Sequence, residues 1–284
     1  MDASHRSVQQ PTEGAMEQKE KLTVDFAGAR FSNGFLEPRT ISLAREIPYT
    51  LFVNDREILS IAVLPTHLDD LFIGFLVSEG VLVSPEEVED CFVDHANKLV
   101  RIYVDAPEDR IERLEGKGML TSGCAGGLVF SVERAAADPH PKRKPLELSC
   151  LDVIARMKEL DTFQGIYQIT RGVHAASMAT KSETLVIRED LGRHNAVDKI
   201  VGHCFMKKID TSDKLLLSTG RITSEVLTKT ARGGFPLVIS RSSASALAVA
   251  MAKEFGIDVI TYVRAGRFNF FGHGATRLNH HQGS

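Results

Sequence analysis

Residues 214–263 read KLLLSTGRITSEVLTKTARGGFPLVISRSSASALAVAMAKEFGIDVITYV. Three short apolar runs alternate here with two longer segments whose apolar residues recur at helical spacing. The predicted strands are Lys214–Ser218, Phe235–Ser240 and Ile257–Val263, and the predicted helices are Ser224–Ala231 and Ser243–Phe255. Strands that alternate with helices indicate crossover connections. The stretch therefore predicts an α/β fold with a mixed, largely parallel sheet.

The same alternation extends upstream to residue 149 but no further. Thr184–Arg188 predicts another strand, and a helix follows it from about His194. Before residue 148, Tyr49–Val53 and Ile58–Leu64 form a predicted hairpin across Asn54-Asp55. We therefore expect an N-terminal α+β subdomain over residues 21–148 and an α/β core over residues 149–284. Residues 1–20 are polar and without apolar periodicity, which predicts a disordered tail.

Composition excludes several classes of protein. The chain has 284 residues and a formal net charge of −3, so no basic field indicates nucleic acid. No window approaches the roughly 20 apolar residues of a membrane span, and the N-terminus lacks a signal peptide. The four cysteines are widely spaced, which argues against a disulfide framework or a metal site. These features predict a cytoplasmic protein with reduced thiols.

Arginines follow the predicted strands of the C-terminal half. Because carboxyl ends of parallel strands share one edge of a sheet, the segments after the strands are expected to meet there. Each of the four segments carries arginine, three carry glycine, and three lead into a helix N-terminus. The arginines are Arg193, Arg221, Arg241, Arg264 and Arg267. Guanidinium groups and helix N-termini both bind phosphate, so the pattern predicts an anion pocket. For any one of these arginines, a solvated loop residue or a carboxylate partner is the simpler interpretation.

Cys124 differs from Cys91, Cys150 and Cys204 in its surroundings. Small residues flank it in Thr121–Gly127, which reads TSGCAGG, so its sulfur is expected to be uncovered on a mobile loop. A cysteine phosphatase is excluded, since the position six residues after the cysteine is Phe130 rather than arginine. A cysteine hydrolase would need His174 or His194 as its base, although a buried structural role explains each histidine equally well. Sulfur relay through a persulfide is the remaining use of this thiol.

The segment Glu189–Lys199, EDLGRHNAVDK, resembles the E-D-x-G-R-H-N-A-x-D-K signature of the formate dehydrogenase accessory protein family (FdhD). Further segments of the chain resemble the family in the same order. They are Leu71–Gly80, Gly172–Ala176, Ser218–Glu225 and Tyr262–Arg267. The similarity covers the chain from about residue 40 to residue 273.

The resemblance implies an accessory sulfurtransferase. Members of the family accept sulfur from a cysteine desulfurase and pass it to the molybdenum cofactor, a bis(molybdopterin guanine dinucleotide). The cofactor is then delivered to apo formate dehydrogenase. It also implies a homodimer whose three-layer core is similar to cytidine deaminase but lacks its zinc. The persulfide-bearing cysteine corresponds to Cys124. The cofactor-contacting stretch corresponds to Tyr262, Val263, Arg264, Ala265, Gly266 and Arg267.

One departure from the family pattern affects the expected mechanism. Many relatives carry C-x-x-C in the loop, whereas Ala125-Gly126-Gly127 follows Cys124 here. Relay between two loop cysteines is therefore impossible. Cys124 must act alone, or the protein is a non-catalytic, cofactor-binding chaperone. A hydrolase acting on a phosphorylated substrate is a third hypothesis.

Overall fold

The computed structural model describes residues 22–112, 114, 118–120 and 143–279. The predicted tail at residues 1–20 and the loop that carries Cys124 lie outside the described residues.

Fifteen strands and seven α-helices occur in the described part of the chain. The strands are β1 (Thr23–Ser32), β2 (Phe35–Ala44), β3 (Ile47–Val53), β4 (Arg56–Val63), β5 (Val88–Asp94), β6 (Leu99–Val104), β7 (Gly118–Leu120), β8 (Leu146–Ser149), β9 (His174–Ala179), β10 (Thr184–Asp190), β11 (Leu215–Ser218), β12 (Leu237–Ser240), β13 (Asp258–Arg264), β14 (Arg267–Phe271) and β15 (Thr276–Asn279). The helices are α1 (Leu68–Ser78), α2 (Glu108–Glu112), α3 (Cys150–Thr162), α4 (Ile166–Thr170), α5 (Arg193–Met206), α6 (Ser224–Arg232) and α7 (Ala246–Phe255).

The largest sheet has six strands in the order β10-β9-β11-β12-β13-β14. Only the pairings β11–β12 and β12–β13 are parallel. The other three pairings are antiparallel, because β9 and β14 run in the direction opposite to their neighbours. The sequence pattern did not indicate these two strands. The sheet is mixed, as predicted, but the expectation of a largely parallel sheet is wrong.

Helices cover both faces of this sheet. Leu215 and Leu217 of β11 pack in the cluster that contains α3, whereas Leu216 packs in the cluster that contains α5, α6 and α7. This alternation is the two-residue period of a strand buried on both faces. The C-terminal half is therefore a three-layer α/β/α arrangement, and its specific likeness to cytidine deaminase stays a prediction.

A second sheet, in the order β5-β6-β3-β4-β7, contains the predicted hairpin as β3 and β4. Helix α1 is buried almost all round and joins this sheet to α5 in one apolar cluster. Gly74 of α1 and Gly202 of α5 permit the contact, since a Cβ at either glycine would overlap the facing backbone carbonyl group. This cluster includes residues from before and after position 148, and the division into subdomains there stays a prediction.

Candidate functional site

Strands β10, β11, β12 and β13 all end at one edge of the six-stranded sheet. Strand β9 is antiparallel to both β10 and β11, so that β10 points in the same direction as the three central strands. The connections after these four strands are the ones that carry the predicted arginines. We call residues 191–194, 219–222, 241–244 and 262–267 the arginine edge. The amino end of β9, with His174, lies at the same edge.

Two buried serines shape the connections after β11 and β12. The Ser218 hydroxyl accepts a hydrogen bond from the Gly220 N–H at 3.1 Å, and the Ser240 hydroxyl accepts one from the Ser242 N–H at 2.8 Å. The Ser240 hydroxyl also donates to the Gly220 carbonyl at 2.6 Å. The two connections are thus fixed to each other by side chains that belong to the strand ends.

Arg193 brings the connection after β10 against the connection after β11. It is the first residue of α5 and is half-buried. A Cβ at Gly220 would lie 2.6 Å from the Cβ of Arg193, closer than two carbon atoms can approach. Only glycine at position 220 leaves room for the arginine side chain.

Arg241 and Arg264 are linked to each other and to helix α3. The Arg241 Nη1 lies 3.2 Å from Asp161 Oδ1 near the end of α3. The Arg264 Nε donates to the Arg241 carbonyl at 2.9 Å. Burial raises the pKa of Asp161, and the charges of Arg241 and Arg264 oppose this effect. Arg241 therefore has a carboxylate partner, while the Arg264 guanidinium is tied to backbone.

A hairpin turn ends the arginine edge. Ala265 and Gly266 have φ values of 48° and 75°, the two left-handed positions of a type I′ turn. Arg264 and Arg267 are paired across it, so their side chains leave the hairpin next to each other.

Tyr262 lies in a β-bulge beside this hairpin. The strand register shifts between Thr261 and Arg264, and Tyr262 has a φ of 58°. Its N–H donates to the Ser242 carbonyl at 2.9 Å, which holds this strained backbone in place. Tyr262 is 50% exposed and its ring centroid lies 5.5 Å from the Arg264 guanidinium carbon, whereas Val263 is buried in the core. The bulge thus turns the tyrosine ring outward while its neighbour stays in the sheet.

Three exposed guanidinium groups at this edge are available to a ligand. They belong to Arg221, Arg264 and Arg267. Within the residues that the structure describes, no carboxylate lies within ion-pair distance of them, in contrast to Arg241. An arginine with a carboxylate neighbour is partly neutralised, so these three contribute most to the positive potential here.

Two histidines lie behind the arginines. His174 Nδ1 is 3.3 Å from Thr219 Oγ1, and His194 Nε2 is 3.0 Å from Glu225 Oε2. Burial, reinforced by the charge of Arg193, lowers the pKa of both, that of His194 to about 3. Both rings are therefore neutral near pH 7 and act as hydrogen-bonding groups. The sequence pattern did not place His174 at this edge because it did not reveal β9.

Comparisons with known proteins show the family to which the chain belongs. The model of the FdhD/NarQ family matches residues 44–279. The chain belongs to this family. The protein named sulfur carrier protein FdhD in Bacillus subtilis (strain 168) is 34% identical over 244 residues, covering 86% of this chain and 93% of that protein. Its namesake in Staphylococcus aureus (strain JH9) is 33% identical over 246 residues, covering 86% and 92%.

A solved structure is similar along most of its length. It is described as a formate dehydrogenase accessory protein from Desulfotalea psychrophila and has a TM-score of 0.71 with 26% sequence identity. The alignment covers 88% of this chain and 97% of that chain.

The charged residues of the family signature, Glu189–Lys199, lie mostly in the interior. The Asp190 carboxylate lies 2.7 Å from Lys199 Nζ, both side chains being fully buried, and accepts hydrogen bonds from Leu64 N and Gly192 N. The Glu189 carboxylate accepts from the Ile166 and Tyr167 N–H groups at the start of α4. These residues hold the starts of α4 and α5 in place rather than facing a ligand.

A second buried ion pair follows within the same signature. Asp198 accepts from Lys229 Nζ at 2.7 Å and from the Ser78 hydroxyl at 2.7 Å. Burial raises the pKa of Asp198, and the ammonium group of Lys229 opposes the effect. The pair connects α1, α5 and α6. Arg193 is thus the one arginine that the signature supplies to the arginine edge.

Two of the described cysteines, Cys91 and Cys204, are poor candidates for sulfur chemistry. Burial raises the pKa of Cys91 and of Cys204 to about 12, and carboxylates near Cys91 add to the effect. Cys150, the first residue of α3, is half-buried. Cys124 lies outside the described residues, so its predicted role remains a prediction.

Two further findings concern the described residues alone. They contain no helix that is both long and apolar enough to cross a membrane. They also contain no cluster of three or more His, Cys, Asp or Glu side chains suited to hold a metal ion.

Proposed function

We propose that this protein is a sulfurtransferase of the sulfur-carrier type. It accepts sulfur as a persulfide on Cys124 from a cysteine desulfurase in the cytoplasm. It then transfers the sulfur to the molybdenum cofactor, a bis(molybdopterin guanine dinucleotide), for apo formate dehydrogenase. Membership of a family whose similar members are named sulfur carrier proteins supports the proposal. The single structural observation behind it is the arginine edge, which offers the cofactor's phosphates a place to bind.

The first step is a thiol exchange at Cys124. Its thiolate attacks the outer sulfur of the donor's persulfide, the donor's cysteine leaves as thiolate, and Cys124 now carries the S–SH group. Cys91 and Cys204 are unsuited to this step, because a pKa of about 12 leaves almost no thiolate near pH 7.

The second step requires the cofactor to be held as a substrate. Arg221, Arg264 and Arg267 are exposed and positively charged, which suits the phosphates of a guanine dinucleotide. Arg193 and Arg241 support the same surface from half-buried positions. We assign the Tyr262 ring to stacking on a flat heterocycle, since half of the residue is exposed to solvent.

The Cys124→Ala variant tests the sulfur step. After incubation with a cysteine desulfurase and cysteine, the wild-type protein should gain about 32 Da, the mass of one sulfur atom, on Cys124. The variant should gain nothing and should fail to activate formate dehydrogenase. Cys150→Ala is the matched control and should behave as wild type. A fully active Cys124→Ala protein would exclude the mechanism.

Binding of GDP tests the arginine edge separately. We expect the double variant Arg264→Ala/Arg267→Ala to bind GDP at least about tenfold more weakly, with a shallower dependence on salt. Arg277→Ala removes an exposed arginine of β15 outside the edge and should leave the affinity unchanged. Equal affinities in all three proteins would contradict the assignment.

A non-catalytic chaperone for the molybdenum cofactor is the second candidate. The observation that favours it is the sequence after Cys124, Ala125-Gly126-Gly127, which supplies no second sulfur for a relay. It predicts GDP binding that depends on the arginine edge and no sulfur adduct on Cys124 at any desulfurase concentration.

A further inference from the structure

Three titratable or charged side chains meet where the first strand of the six-stranded sheet packs on two helices. Arg188 lies on β10, which pairs with β9 alone among the described strands. Asp70 lies near the start of α1, and His203 lies near the end of α5. The Arg188 Nε and Nη2 atoms lie 2.9 and 2.8 Å from Asp70 Oδ2. We call Asp70, Arg188 and His203 the clasp, because they connect an edge strand to α1 and α5.

The contacts within the clasp determine the protonation state of His203. Its Nδ1 lies 3.0 Å from the Arg188 Nη2. A guanidinium group can only donate hydrogen bonds, so Nδ1 accepts one and carries no proton. The ring is therefore neutral, with its proton on Nε2. The Arg188 Nη1 also donates to the Ile187 carbonyl at 3.2 Å, which holds the guanidinium group in its orientation.

A second partner lies close to the same ring nitrogen. Asp70 Oδ2 is 3.5 Å from His203 Nδ1, just beyond the length of a good hydrogen bond. A proton added to Nδ1 turns this acceptor into a donor, which then faces the donor groups of Arg188. The new N–H is repelled by the guanidinium group and attracted by the carboxylate. Because Nε and Nη2 of Arg188 already contact Oδ2, His203 displaces at least one of them when it approaches.

The surroundings of His203 oppose its protonation while the clasp is closed. Burial lowers the pKa of His203, the charges of Arg188 and Lys207 add to the effect, and Asp70 opposes it. Burial raises the pKa of Asp70, and Arg188 opposes that effect. The other charged or titratable groups around the clasp are His67, Asp69 and Lys199. Opening the clasp hydrates the ring, so the open form binds a proton more readily than the closed form.

We propose that the clasp is an acid-sensitive link between the edge strand β10 and the helices α1 and α5. At neutral pH, Arg188 contacts both Asp70 and His203 and holds β10 against the two helices. When His203 takes up a proton from solvent, it pairs with Asp70, and Arg188 separates from it. Strand β10 leads directly into residues 191–194, so acid loosens the strand that precedes the arginine edge. The inference does not depend on sulfur transfer.

Nitrogen NMR of the histidine rings in the full chain tests the exchange of partners. At about pH 7.5, Nδ1 of His203 should have the chemical shift of an unprotonated nitrogen, with the signal assigned from a His203→Gln sample. Arg188→Gln leaves Nδ1 free to pair with Asp70, so the proton affinity of His203 should rise at least about tenfold. Lys207→Gln is the matched control, because it removes a nearby charge but keeps the Arg188 contact. It should raise the affinity less than about threefold.

Hydrogen exchange of the β10 amides gives an independent readout. From about pH 7.5 to about pH 5.5, after correction for intrinsic exchange rates, protection of Thr184–Arg188 should fall about tenfold in the wild type. In His203→Gln it should change less than about twofold, because glutamine offers Arg188 an acceptor that does not titrate. Strand β12 serves as the internal reference and should stay protected in both proteins.

Three results would overturn the proposal. The first is a proton on Nδ1 of His203 at about pH 7.5. The second is an equal rise in proton affinity in Arg188→Gln and Lys207→Gln, which would mean that charge alone, and no exchange of partners, governs the ring. The third is an acid-induced loss of β10 protection that persists in His203→Gln.

Discussion

Two sets of charged side chains lie close together in this protein and differ in almost every respect. The two aspartates of the family signature are buried and paired with lysines, Asp190 with Lys199 and Asp198 with Lys229. The arginines that follow β11 and flank the turn after β13, Arg221, Arg264 and Arg267, are exposed, and no carboxylate of the described residues lies within ion-pair distance of them. Removing one member of a buried pair leaves an uncompensated charge in the interior, whereas an exposed arginine stays hydrated. The first set therefore stabilises the fold, and the second is free to bind an anion.

The residues that carry the resemblance to the family differ from the residues that we propose to bind a ligand. The signature segment carries much of the resemblance to the family, yet its charged side chains connect α1, α4, α5 and α6 to one another. Of its residues, Arg193 is the arginine at the edge, and Gly220 makes room for it. A functional test should therefore target the exposed arginines, and a stability test should target the buried pairs.

Lys199→Met should give the largest change in stability. The substitution preserves volume but leaves the fully buried Asp190 without its cation. We expect the free energy of unfolding to fall by about 3–5 kcal/mol, measured by urea denaturation at pH 7. The double variant Asp190→Asn/Lys199→Met should recover part of the loss, because it no longer buries a charge. A single variant as stable as wild type would mean that the pair has no such role.

His194 should make stability depend on pH by a smaller amount. Its pKa is about 3 in the folded protein and about 6.5 in an unfolded chain, so between these values the unfolded state binds more protons. The free energy of unfolding should therefore fall as pH falls from 6.5 toward 3. His194→Gln should reduce this slope by up to about 1.4 kcal/mol per pH unit in urea titrations at pH 7, 5.5 and 4.5.

A second histidine serves as the comparison for that slope. Partial desolvation, reinforced by the charges of Arg188 and Lys199, lowers the pKa of His67 to about 4 although the residue is partly exposed, so His67→Gln should reduce the slope over the narrower range from pH 6.5 to 4. If neither variant changes the slope, both histidines are protonated in the folded state over this range of pH.

Arg221→Met should give the smallest change in stability. The side chain is exposed and has no ion-pair partner in the described part of the chain, so unfolding free energy should change by less than about 0.5 kcal/mol. The same variant should bind GDP several-fold more weakly in a calorimetric titration. A large loss of stability with unchanged GDP affinity would reverse the distinction between the two sets of charges.

Local chemistry determines several elements without help from the rest of the fold. The Asn54-Asp55 turn joins β3 and β4, and both of its residues have positive φ values. Ser149 and Asp152 form the capping box at the start of α3, with hydrogen bonds of 2.8 and 3.1 Å. The arginines after β10 to β13 were also predictable as a group. The order of strands and helices places carboxyl ends at one edge whenever the strands point the same way.

Other elements depend on neighbours that are distant in the chain. Strand β9, His174–Ala179, is rich in alanine, which has little preference for a strand, and it forms because β10 and β11 pair with it on both sides. Its insertion makes the sheet mixed and brings His174 to the arginine edge. Ser84–Glu87 resembles a helix start, but the chain makes a single 3-10 turn and continues as β5, which pairs with β6.

The sequence by itself determined the class of fold, the positions of its turns and caps, and the arginines that follow the strands, because each depends on residues close together in the chain. Tertiary structure alone decided which charges are buried in pairs and which remain exposed. Asp190 and Arg221 are equally polar in the sequence, yet Asp190 is buried against Lys199 and Arg221 is exposed at the edge. Burial and pairing depend on segments more than 20 residues away, such as Leu64 for Asp190 and Lys229 for Asp198. The free energy of burying and pairing a charge therefore cannot be obtained from a local sequence pattern.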